Sequence, residues 1–278
     1  MIDILLGTPV SGKGGDTAGR EAAAQAALAQ RTAEGMAIGV NLAFCDEPPV
    51  AGPLESISAL SRDARTVTGR QGPRKPIVSE MLDVLCDIAE ARNGPRVGVV
   101  NGDIVVTPEA IDRIGALQLP VIAVSRTDVG GAPEEMMLYG VDMFVVDTAF
   151  WRRHRRRFGA YILGEGVWDN VYAAVALCHG GMLLNRERLL LHERHPSMTG
   201  NSPFAVYIHG LAARDRAYFT RWCTYAAHAE THGRRTRAAA RSVRAAVDRR
   251  RGARRRSRRL VEGETDGRCL NCPTSNCI

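Results

Sequence analysis

The feature that most constrains this chain is an alternation over its first 125 residues. Short apolar runs that stop at glycine, proline or acid are followed by longer segments with helical periodicity. Residues 2–6 are apolar apart from Asp3 and bounded by Gly7 and Pro9, and residues 18–30 are alanine-rich, so the spacing predicts strand, loop, helix. A second apolar stretch, 36–44, meets Asp46, Glu47 and two prolines and reads as a strand. Residues 50–72 have little periodicity and read as a long loop with a helical piece. Ile77, Val78, Met81, Leu82, Leu85, Ile88 and Ala89 then recur at helical spacing as far as Asn93, Gly94 and Pro95. Residues 97–100 form a buried-type strand. Thr107 is a good N-cap with Pro108 at the first helical position, Ile111, Ile114 and Leu117 give that helix an apolar face, and 120–125 is another strand. Such a pattern predicts an α/β, Rossmann-like fold: a mostly parallel central sheet with flanking helices and ligands at the carboxyl ends of its strands.

The second half changes character. Residues 143–146 read as a strand, and 151–157 carry six basic residues around one aromatic. Val167, Val171, Val175 and Cys178 mark a helix with Glu165 and Asp169 near its start and Gly180-Gly181 after its end. "LLLHERH" follows as a strand running into polar residues, and 202–232 suggest one or two terminal helices. The expected organisation is a main domain over 1–205, a C-terminal helical extension over 206–232, and an Arg-rich, Cys-containing, disordered tail over 233–278.

Charge separates the tail from the rest. Residues 233–259 hold thirteen arginines and one acid, a local charge of +12 in a chain whose total is +7, so the remainder carries −5. Such a segment attracts polyanions, whether nucleic acid or an anionic membrane surface, and no base-reading motif accompanies it, so sequence-specific nucleic-acid recognition is not expected. No apolar run is long enough to span a bilayer, and Asp3 stands where a secretory signal would be basic, so a cytoplasmic location is expected, with peripheral attachment at the inner membrane face through the tail. Cys45, Cys86, Cys178 and Cys223 are scattered as reduced thiols would be, and Cys269, Cys272 and Cys277 are one ligand short of a four-cysteine zinc site.

The opening loop, "GTPVSGKGG", imitates a phosphate-binding loop. A Walker A motif needs a hydroxyl after its lysine to ligate magnesium. Gly14 follows Lys13 here, and Gly15 stands where the related nucleoside monophosphate kinase loop would have threonine. The alternative is a glycine-rich turn between the first strand and helix.

From Asp3 to Pro196 the order of features resembles the GT-A family of nucleotide-sugar glycosyltransferases. In that family a first strand ends in a turn that meets the nucleotide, a helix precedes the fourth strand, and that strand ends in a short acidic motif. The match is "NGDI", Asn101 to Ile104, in which Asp103 is the retained carboxylate and Asn101 replaces the first acid. The resemblance implies a nucleoside-diphosphate sugar donor and a divalent cation, Mn²⁺ or Mg²⁺, bridging diphosphate and Asp103. It implies an acceptor of unspecified kind: a glycan, a lipid or a small molecule. Gly7, Thr8 and Pro9 match the donor turn. Arg70, Arg74 and Lys75 fall in the segment that approaches the diphosphate, and Arg126 follows the strand 120–125 in a similar role. Glu165, Trp168 and Asp169 match the acceptor-side helix start, where Glu165 or Asp169 would be the general base and Trp168 a stacking platform. His192 matches the strand-end histidine and would complete the metal site, with His195 behind it.

Each assignment has a plainer alternative. Asn-Gly-Asp is ordinary turn chemistry, acids at a helix start favour the dipole, and a strand-end histidine is often structural. A sugar nucleotidyltransferase shares the sheet, but its glycine-rich arginine loop follows the first strand directly, where this chain has no arginine until Arg20; a catalytically inactive binding scaffold with a basic tail is the other alternative, suggested by Asn101 in place of an acid and by the incomplete opening loop.

Overall fold

The computed structural model describes residues 4–9, 16–130, 134–195 and 202–231. Lys13 and its neighbouring glycines, and the whole 233–278 segment with its three cysteines, lie outside these.

The strands are β1 (Ile4–Pro9), β2 (Ile38–Phe44), β3 (Glu55–Leu60), β4 (Arg96–Val100), β5 (Ile104–Val106), β6 (Val121–Val124), β7 (Thr127–Val129), β8 (Glu135–Met136), β9 (Met143–Asp147), β10 (Met182–Leu184) and β11 (Leu190–Glu193). The helices are α1 (Asp16–Ala33), α2 (Ala64–Thr68), α3 (Val78–Ala91), α4 (Pro108–Ala116), α5 (Thr148–His154), α6 (Trp168–Cys178), α7 (Ala205–Arg214) and α8 (Arg216–Thr231), with a single 3₁₀ turn, Arg155–Arg157, after α5. Seven strands form the central sheet in the order β10-β6-β9-β4-β1-β2-β3. Every neighbouring pair is parallel except those of β9, which runs antiparallel to both β4 and β6. The fold is therefore α/β with a mostly parallel sheet, as the alternation predicts.

Strand direction decides where the chemistry can gather. Because β1, β4 and β6 are co-directional and β9 is reversed, the residues after β1, β4 and β6 and the residue just before β9 share one edge. Thr8 and Pro9, Asn101, Ser125 and Asp142 meet there, and the backbone confirms it. Asn101 N donates to Asp142 O at 3.0 Å, and Asp142 N donates to Val124 O at 3.0 Å.

Both faces of the sheet are covered, with side chains alternating between two cores as the pleat requires. Leu5, Val97, Val99, Val121 and Ala123 join one cluster with α3, α5 and α6, and Leu6, Ile122 and Val124 join the other with α4 and Leu28 of α1. Ile208, Trp222 and Tyr225 bring the terminal helices into the first cluster. Gly7 lies inside this packing: a Cβ there would meet Leu85 Cδ1 at 2.8 Å, so glycine lets α3 press against β1.

The region 50–72 departs from the loop expectation. Residues 55–60 are β3, an edge strand parallel to β2, and 64–68 are α2, capped by Asp63, whose side chain accepts from Thr66 N. The basic segment 151–157 is likewise α5 and its 3₁₀ turn. A second, four-stranded sheet, β5-β11-β7-β8, stands beyond the functional edge of the first, and the sequence patterns did not indicate it.

Candidate functional site

The turn between β4 and β5 is built from Asn101, Gly102 and Asp103 and touches the end of β1. A methyl on Gly102 would lie 3.5 Å from the Pro9 carbonyl oxygen and 3.8 Å from Thr8 Oγ1. The small sheet then brings distant residues to this turn by register alone. In β11, His192 is the partner of Ile104 in antiparallel β5 and of Asp128 in parallel β7. Asp103, immediately before β5, thus sits beside His192, and Asp128 sits on the other side.

Three side chains converge. His192 Nε2 lies 3.5 Å from Asp103 Oδ2, His195 Nε2 lies 3.4 Å from the same oxygen, and the two ring nitrogens are 3.2 Å apart. All three ligand atoms fall within 4.8 Å of one another, the only such cluster of three or more metal-ligating groups among the described residues. His192 Nδ1 is 2.8 Å from Asp128 Oδ1. Burial alone would raise the Asp103 pKa, but hydrogen bonds and charge from His192, with help from His195, outweigh it and bring it down to about 2. For His192, burial works against the imidazolium, yet the carboxylates of Asp103 and Asp128 prevail and its pKa is raised.

Behind this cluster runs a buried polar network. Arg126 Nε donates to Asp128 Oδ1 at 2.7 Å, and its Nη1 donates to Asp142 Oδ1 at 3.0 Å. Asn101 Nδ2 donates to that same Asp142 oxygen at 2.8 Å. Asn101 Oδ1 and Asp142 Oδ2 are buried with no hydrogen-bond partner among the described residues. Burial pushes the Asp142 carboxyl up against the opposing pull of Arg126. Asp169, in the first turn of α6, accepts from Val141 N at 3.3 Å, and burial together with the nearby Asp142 pushes its pKa up to about 7. The turn that launches α6 is strained: Val167 has φ of +80°, unusual for a β-branched residue.

The remaining sequence-derived candidates are distributed unevenly. Glu165 is ion-paired with Lys75 at 2.7 Å, which also donates to Gly164 O, so these two residues join the loop before α3 to the loop before α6. Arg74 lies over the Phe44 ring, 3.9 Å from its centroid, and is held by Asp46, Glu47 and Asp63 at 2.8, 3.1 and 3.0 Å. It cross-braces the loops after β2 and β3. Arg70 is exposed. Trp168 is buried at 3% exposure, edge-on to Tyr172, and belongs to the core. Local sequence patterns do not mark Asp128 or Asp142: Asp128 lies within β7 and Asp142 immediately precedes β9, short strands whose pairing is non-local.

The donor set suits a divalent cation: one carboxylate oxygen and two imidazole nitrogens lie within 4.8 Å of one another, and His192 carries a carboxylate on its far nitrogen.

No family model matches the chain, and no curated protein does. Among solved structures the chain is similar to a glycosyltransferase involved in the glycosylation of the major capsid of PBCV-1, at 10% identity over 77% of this chain and 98% of that one, with a TM-score of 0.39. It is also similar to a mannose-1-phosphate geranyltransferase from Thermus thermophilus, at 14% identity over 70% of this chain and 75% of that one, with a TM-score of 0.30. In this chain the first strand of an α/β sheet meets the Asn101-Gly102-Asp103 turn after the fourth, and a later strand closes on that turn through a histidine.

Proposed function

We propose that this protein transfers a sugar from a nucleoside-diphosphate donor to an acceptor hydroxyl at the carboxyl edge of its sheet. The observation that carries this reading is the convergence of Asp103, His192 and His195 on one point beside the end of β1. Asp103, His192 and His195 would hold the divalent cation, which when bound neutralises charge gathering on the leaving diphosphate. The chain's own residues do the rest. Thr8 and Pro9 would wall the donor side; of the basic residues at 70–75, Arg74 is held by three carboxylates and Lys75 by Glu165, which leaves the exposed Arg70 to meet the phosphates. Asp169 takes the proton of the acceptor hydroxyl as its oxygen bonds the anomeric carbon and the bond from that carbon to the diphosphate breaks. A carboxylate whose pKa is pushed up to about 7 is matched to that task, whereas Glu165 is committed to Lys75.

Thermal unfolding with UDP-, GDP- and TDP-sugars, each with and without Mn²⁺, tests the reading. The expected result is a rise in Tm that needs both one of the sugar nucleotides and the metal, and that disappears in Asp103→Asn. A rise selective for ATP would favour the phosphate-loop alternative, and no rise with any nucleotide would overturn both.

A further inference from the structure

We propose that Asp128 is a positioning residue for the metal centre: it holds the imidazole of His192 in the tautomer that turns the Nε2 lone pair toward Asp103 and His195. The proposal rests on the reading of those three residues as metal ligands and adds a residue that the motif order does not mark.

The geometry is specific. Asp128 and His192 are register partners on adjacent parallel strands, so the backbone itself sets them side by side. Both side chains are nearly buried, at 9% and 8% exposure, which leaves little room for water to take either partner's place. Asp128 Oδ1 receives Arg126 Nε at 2.7 Å and faces His192 Nδ1 at 2.8 Å. An ionised carboxylate only accepts, so in a neutral ring the hydrogen must sit on Nδ1. Nε2 is then a bare lone pair, 3.5 Å from a carboxylate oxygen and 3.2 Å from the second imidazole nitrogen. Electron-rich atoms gathered in this way favour a cation among them.

Without Asp128, the ring is free to carry its hydrogen on Nε2 and donate it to Asp103. That exchange satisfies both residues and closes the site to metal. Arg126 has a part in the same device, because its second nitrogen is anchored to Asp142 and it therefore holds Asp128 in place from behind.

The test uses the metal alone. Free Mn²⁺ is titrated against the full chain by electron paramagnetic resonance for the unaltered protein, Asp128→Ala, Asp128→Asn and His192→Ala. In parallel, the ¹⁵N signals of the imidazole rings are recorded without metal at mildly alkaline pH. Asp128→Ala is expected to weaken Mn²⁺ binding by about 10–100-fold and to lose the Nδ1–H tautomer of His192. Asp128→Asn should recover most of the affinity, since its carbonyl oxygen still accepts from Nδ1. His192→Ala should lose the site. Unchanged affinity in Asp128→Ala, with His192→Ala impaired, overturns the positioning role alone. Unchanged affinity in His192→Ala overturns the metal reading itself. Should Asp128→Ala not fold, an Nε2–H tautomer in the unaltered metal-free protein is sufficient to refute the proposal.

Discussion

Asp169 shows how one residue's environment becomes a measurable property of the protein. Its carboxyl is raised by burial first and by the neighbouring Asp142 second, to about 7. A group whose folded pKa exceeds its unfolded one contributes stability that is complete at low pH and lost as pH rises through the folded value. Asp169 therefore stabilises most below about pH 4 and ceases to as pH passes about 7. Asn keeps an acceptor for Val141 N but carries no charge, so Asp169→Asn should flatten this slope. At pH 8 it is expected to be more stable than the unaltered protein by on the order of 2 kcal/mol, the difference shrinking toward pH 5. Paired denaturant titrations across that range provide the measurement. A variant whose stability tracks the parent at both ends would show that Asp169 is not strained as described. The same substitution should abolish sugar transfer while leaving Mn²⁺ affinity unchanged, since Asp169 touches none of the three ligands.

Among the elements, β4, β9 and α4 are tied together by one side chain at the edge opposite the site. Arg96 is 9% exposed, pairs with Asp147 at 3.0 Å, and donates to the Ile114 and Leu117 carbonyls at the end of α4 at 2.9 and 2.8 Å. Arg96→Met retains much of the apolar stem but removes the side-chain donor from two helix-end carbonyls, of which Ile114 O still accepts from Leu117 N. It should cost about 2–3 kcal/mol, seen as a lower denaturant midpoint at unchanged slope. The element scale is also where sequence reading succeeds and fails for stated reasons. β4 is legible because a strand buried on both faces is a continuous apolar run, and α4 because Thr107 and Pro108 mark its start. β3 is not, since an edge strand that opens on Glu55 and Ser56 and has Ser58 between its apolar residues looks like loop. β5, β7, β8 and β10 have two to three residues each, too few to display a period. Motif order marks Asp103 and His192 in the sequence, and the fold brings them to 3.5 Å of one another. It does not mark Asp128, because its partnership with a residue 64 positions away depends on a register that no local pattern records.

For the whole molecule, charge and structure divide along the chain. The sheet, both of its cores and the cluster of Asp103, His192 and His195 lie in the described residues, where no helix is long and apolar enough to cross a membrane. The +12 of residues 233–259 lies outside them and opposes the −5 of everything else. Ionic strength should therefore separate two behaviours in one protein. Attraction between an arginine-dense segment and a charged surface is screened over about 10 Å at 0.1 M salt, whereas the Asp103, His192 and His195 cluster acts over contacts of 3 to 4 Å. Sedimentation with phosphatidylserine vesicles should show binding that falls at least ~10-fold between about 50 and 200 mM salt and is absent with neutral vesicles. Replacing Arg249, Arg250, Arg251, Arg254, Arg255 and Arg256 by serine should remove this binding and leave Mn²⁺ affinity as it was. Loss of metal affinity in that variant, or vesicle binding indifferent to salt, would mean that the basic segment does not act as an electrostatic attachment separate from the site.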